Sequence, residues 1–126
     1  NYRGGVTPYA TDVKASLLDI PKLTMKHGPV SAEVAGAMAV NSAYLLNSDF
    51  GVATTGVAGP DEQDGHQLGT VYIAVFRRGR DGLEVMSSVN CHALTSSLED
   101  PVAVRADIRE QTVLVALQEL LAAIPQ

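Results

Sequence analysis

The sequence predicts an α/β or α+β sandwich with a mixed sheet. Segments of helical and of extended periodicity alternate along the chain, and a β-branched and aromatic run, "TVYIAVFR", is joined by a short Gly-containing turn to a further extended segment, which makes an antiparallel hairpin. The length, 126 residues of which 46% are hydrophobic, suits one compact core, so residues 1–126 are read as a single domain.

Residues 3–9 read as a strand, with Pro8, which cannot donate a ladder hydrogen bond, at a sheet edge, a bulge or the strand's end. Ala10 or Thr11 opens a short helix to about Leu18, with Val13, Leu17 and Leu18 on its buried side and Pro21 preventing continuation. Lys14 falls near the N-terminus of that helix, where the dipole opposes a cation and lowers its pKa. After the turn "KLTMKHGPV", Ser31 is a good N-cap and Glu33 suits the first turn of a second helix running to about Leu46. Val34, Ala35, Met38, Ala39, Ser42 and Leu45 recur at helical spacing, and the many small residues let the helix lie close against a sheet.

A strand from about Phe50 to Thr54 stops in a Gly-rich turn, and the loop "GVAGPDEQDGHQLG", 56–69, is long enough to suggest a functional or mobile segment. "TVYIAVFR" is the next strand; a turn at "RGRDG" leads into another at about 83–91, completing the hairpin. The last helix runs from about Pro101, a residue suited to a first helical position, to Ala123, with Val113, Leu117, Leu120 and Ile124 forming one apolar stripe.

Nine basic and 14 acidic side chains give a formal charge of -5, and the largest basic group is Arg77-Arg78 with Arg80 nearby. Nucleic-acid backbones need clustered positive charge, so a small-molecule or protein partner fits better. The one cysteine, Cys91, cannot form an internal disulfide, which reads as a cytoplasmic setting. Cys91 and His92, adjacent on a strand, point to opposite faces and do not make a dyad. His27, His66 and His92 are scattered, so no metal and no cofactor is expected. "VLVALQELLAAI" is too short to span a bilayer and is interrupted by Gln118 and Glu119, and no signal-peptide pattern opens the chain, so no membrane partner is expected. "NYRGGV" starts without Met and leads directly into a strand, as the second part of a longer chain would.

Three local patterns bear on chemistry. In "TTGVAGP", Gly56 and Gly59 allow backbone N–H groups to converge on a ligand oxygen, although an ordinary tight turn has the same composition. The G-K-[ST] ending of a P-loop is absent, and Asp61, Glu62 and Asp64 would repel a phosphate. Tyr9 and Lys14 stand five residues apart across a strand-to-helix junction, and Thr11 to Lys14 has Ser-x-x-Lys spacing without the further motifs of penicillin-recognising enzymes. Arg105 and Arg109, four apart on the last helix, suit an anionic ligand or a neighbouring carboxylate such as Asp107 or Glu110.

"GGVTPYATDVKASLLDIP", "HGPVSAEVAGAMA", "ATTGVAGPDEQDG", "GTVYIAV" and "VRADIREQTVLVAL" together resemble, in order and spacing, the CinA C-terminal domain family of competence/damage-inducible proteins and nicotinamide-nucleotide amidohydrolases. The resemblance covers practically the whole chain. It implies a three-layer α/β sandwich with a mixed sheet, and a deamidase converting nicotinamide mononucleotide to nicotinate mononucleotide and ammonia. By position, Tyr9 and Lys14 match the family's tyrosine and lysine, Thr55 its turn threonine, and Arg105 its arginine, here after Ala103-Val104 in place of Gly-Asp. On that resemblance Lys14 is the general base, Tyr9 its partner, and Thr55, Gly56 and Arg105 hold the substrate. The family's proposed nucleophile, a serine in Glu-Ser-x-Thr-Gly-Gly, does not occur in these residues. The resemblance therefore implies a domain lacking its N-terminal helix and strand, with an uncovered apolar surface to be closed by that segment or by self-association. The alternative is a non-catalytic nucleotide-binding or assembly module.

Overall fold

The computed structural model describes residues 1–81 and 84–125. Six elements follow in the order α1 (Thr11–Leu17), α2 (Ala32–Leu45), β1 (Phe50–Gly56), β2 (Thr70–Arg78), β3 (Glu84–Ala93) and α3 (Pro101–Ala123). The strands form one sheet in the order β1-β2-β3, with α2 on one face and α3 on the other, so the α/β sandwich has three layers. Both ladders among the described residues are antiparallel, Gly51 facing Phe76 and Val71 facing His92; the parallel pairing of a mixed sheet is not among them. The turn expected at "RGRDG" and the first residue of the strand expected at 83 extend into Gly82 and Leu83, outside the described residues.

Alternation along the strands decides what each helix meets. Ala53, Ala74 and Phe76 join Val34, Ala35, Met38, Ala39 and Ala43 of α2 in the main core, with Leu18 and Ile20 closing its end. Here α2 lies almost on the strand. A Cβ on Gly51 would stand 2.0 Å from the Ala39 carbonyl oxygen, so only glycine permits that approach. Ser31 caps α2 by accepting from the Val34 amide at 3.2 Å, as its side chain and position lead one to expect. On the other face Val71 and Ile73 pack with Ala116 of α3.

Two expectations are corrected. Residues 3–9 form no strand: they run as irregular chain into α1, with Pro8 lacking a donor and no ladder partner among the described residues. The apolar pattern of α1 and α3 also faces differently. In α1 only the residue after the helix, Leu18, is buried, while Val13 and Leu17 are exposed. In α3 the buried residues are Ile108 and Ala116, and Val113, Leu114 and Leu117 are each 58% exposed. A helix advances about 100° per residue, so the row through Ile108, Thr112 and Ala116 looks at the sheet and the row through Val113 and Leu117 looks away from it.

Candidate functional site

Two long-range links reach the loop at 57–69: Lys14 of α1 feels the charge of Asp64, and Arg105 of α3 bonds the Gly59 carbonyl. Lys14 is half-buried, and its Nζ donates to the Tyr9 carbonyl oxygen at 3.4 Å. Burial takes water from the ammonium and lowers its pKa below the usual 10.5, with the charge of Asp64 opposing part of that shift. The first cause is desolvation. Tyr9 contributes its backbone here, for its side chain is 70% exposed.

Thr55 is buried on the α2 side of β1, where its hydroxyl donates to the Pro29 carbonyl oxygen at 2.7 Å. That bond ties the end of β1 to the entry of α2. The hydroxyl proton is thereby committed, and the oxygen keeps only acceptor capacity toward a ligand. Gly56 has no room for a side chain, since a Cβ would lie 2.6 Å from the Thr70 carbonyl oxygen. Gly59, at φ +90, has the left-handed backbone that favours glycine.

The loop is held at both ends. At its base the Val57 amide donates to Thr70 O at 2.9 Å and the Gly69 amide to Val57 O at 2.7 Å. At its tip Gln63 and His66 exchange backbone bonds around Asp64-Gly65, both with positive φ, as a type I′ turn requires. Asp100 caps α3 by accepting from the Ala103 amide at 2.9 Å, and one turn on Arg105 Nη1 donates to the Gly59 carbonyl oxygen at 2.8 Å. Arg105 therefore fastens α3 to the glycine turn, leaving its other N–H groups available to an anion. Arg109 is exposed.

The structure thus brings Lys14 near the loop through Asp64, and Arg105 to the turn that follows Thr55 and Gly56. It does not bring the Tyr9 phenol to Lys14. Sequence reasoning missed Asp64 as the charge facing Lys14, and His66 as an edge-on neighbour of Tyr72, ring centroids 6.1 Å apart. The Asp-Gly pair at 64–65 was the available signal for the first, because that dipeptide favours a tight reversal. Tyr72 also lies against Cys91, whose hydrogen bond and then burial raise the pKa of the phenol. Cys91 and His92 do part to opposite sides of the sheet, Cys91 beside Tyr72 and His92 beside Glu119 of α3.

The model of the CinA C-terminal domain matches residues 1–124. A competence-damage inducible protein of Listeria welshimeri is 41% identical over 81 residues, 64% of this chain and 20% of that protein. One from Bacillus subtilis is 42% identical over 81 residues, with the same coverage. The matched stretch is thus about a fifth of the length of these relatives. Among solved structures, a competence or damage-inducible protein from Enterobacter asburiae superposes with a TM-score of 0.75 at 26% identity, covering 91% of this chain and 65% of that one. A competence/damage inducible protein from Agrobacterium tumefaciens gives 0.71 at 30% identity, covering 91% and 64%.

Proposed function

The chain belongs to the CinA C-terminal domain family, and from that premise we propose that these residues form a nucleotide-binding module, with nicotinamide mononucleotide as the ligand class. The observation that carries this reading is the set of bonds already made at the site. The Thr55 proton is committed to Pro29 and Lys14 donates to a backbone carbonyl, so Thr55 is not set up as an activated nucleophile, whereas Arg105 uses Nη1 on Gly59 and has further N–H groups for an anionic ligand. In this arrangement Arg105 steadies the turn, Thr55 and Gly56 form the wall against the ligand, and Tyr9 is a free aromatic face at the rim.

A second reading, deamidation of the same nucleotide, is supported by the lowered proton affinity of Lys14. A half-dried amine is a better general base near neutral pH than a solvated one. Its partner would be a serine hydroxyl outside these residues. Lys14 would take the hydroxyl proton as the oxygen attacks the carboxamide carbon and hand it to the nitrogen as the C–N bond breaks to release ammonia, and water would then hydrolyse the acyl-serine ester to nicotinate mononucleotide and restore the hydroxyl.

Titration calorimetry with nicotinamide mononucleotide, together with an ammonia assay, tests both. Binding without ammonia is the expected outcome for the module, and no binding would overturn either reading. Ammonia release that falls at least about a hundredfold in Lys14→Ala would favour the deamidase. In that case the rate should climb with pH and level off below 10.5, because the working form is the neutral amine and burial makes it available earlier.

A further inference from the structure

Hydrogen-bond parity along the sheet tells which backbone groups are engaged. The Arg78 amide donates to Asp49 O at 2.8 Å and the Val57 amide to Thr70 O at 2.9 Å, so the even residues of β2 face β1. The Leu94 amide donates to Gly69 O at 2.8 Å, and the register carries that bonding to the pairs Val71–His92 and Ile73–Asn90. Bonded and non-bonded pairs alternate in an antiparallel ladder. Asn90 and His92 therefore turn their N–H and C=O groups to β2, while Val89, Cys91 and Ala93 turn theirs away from it. Strand β3 ends the sheet, and no hydrogen bond among the described residues uses those outward groups.

An edge of this kind takes up another strand unless charge, proline or a cover prevents it. From Ser88 to Leu94 the sequence is "SVNCHAL", with no lysine, arginine, acidic residue or proline, and Asn90, Cys91 and Ala93 are exposed. The chain carries a formal charge of -5, so a second copy is repelled over most of the surface and best accepted where charge is missing. A twofold axis sets each outward group of a strand opposite an outward group of its own copy, in the antiparallel sense. With the axis at Cys91, Val89 meets Ala93 on the α2 side and Asn90 meets His92 on the α3 side. Apolar then faces apolar, polar faces polar, and no like charges are opposed.

We propose that β3 pairs edge to edge with β3 of a second copy of this chain, joining the two three-stranded sheets into one across a twofold axis. The contact is one strand wide, which places it among small interfaces, so the dimer is weak, with a Kd of about 1 μM to 1 mM. It lies at the sheet edge away from β1, is independent of the nucleotide reading, and leaves the outer row of α3 uncovered.

The test is sedimentation equilibrium of the full chain, paired with amide hydrogen exchange by NMR. The mass should rise toward that of two copies as the concentration approaches about 1 mM. The Val89, Cys91 and Ala93 amides, open in the monomer, should exchange at least about tenfold more slowly in concentrated than in dilute protein. Cys91→Pro removes one outward N–H and no β2 ladder bond, so it should fold and weaken association at least about tenfold. If Cys91→Pro does not fold, Ala93→Lys, which puts a charge on the seam, takes its place: weaker association supports the pairing and unchanged association overturns it. A chain still monomeric at about 1 mM, a dimer without slowed exchange at the three amides, a dimer indifferent to Cys91→Pro, or one abolished by Leu117→Gln on the outer face of α3 would also overturn it.

Discussion

Under α2 the sheet meets a helix of alanine, glycine, valine and methionine whose backbone comes within contact of a glycine in β1, whereas under α3 it meets a helix that keeps much of its apolar surface turned outward. Both helices are rich in apolar residues, yet α2 buries Val34, Ala35, Gly36, Met38, Ala39 and Ala43, and α3 buries only Ile108 and Ala116. The difference teaches that an apolar stripe marks a surface needing cover and does not say which neighbour covers it. The accessible surface of 7907 Å² exceeds the roughly 6,500 Å² expected of a compact monomer of this mass, and the outer rows of α1 and α3 are part of that excess.

Substitutions on the two faces would break or sharpen this contrast in urea denaturation. Phe76→Ala removes the largest fully buried side chain of the α2 face and should cost about 3–5 kcal/mol. Gly51→Ala keeps composition almost unchanged but drives a methyl into the Ala39 carbonyl, for an expected loss of about 1–3 kcal/mol as α2 is pushed from the sheet. A Gly51→Ala variant as stable as the parent would mean that the close approach is not a constraint. Leu121→Gln, on a residue 65% exposed, should change stability by less than about 0.5 kcal/mol. A larger loss there would show that the outer row of α3 is covered in solution, which would end the contrast between the faces.

At the candidate site the legible parts were those governed by local chemistry. Ser31 and Pro101 announced the starts of α2 and α3 through capping and through the fixed φ of proline, and the β-branched run at 70–78 announced β2. Lys14 was legible as a candidate, but its depressed proton affinity comes from burial among segments distant in sequence, and Asp64 faces it across the fold. Arg105 was legible as an anion-binding candidate. Its bond to Gly59, 46 residues away, could not be read from either neighbourhood.

By itself the sequence determined the order of helices and strands from Thr11 onward, the α/β class and the glycines at the turn, because periodicity, capping and backbone freedom act over a few residues. Tertiary structure alone decided that residues 3–9 pair with nothing described, that the Val113 to Leu117 row of α3 looks outward, and that Thr55 spends its proton on Pro29. Those outcomes depend on which surfaces and polar groups meet across long stretches of chain, and a hydrogen bond or a buried face is settled by whichever partner the packing brings into reach.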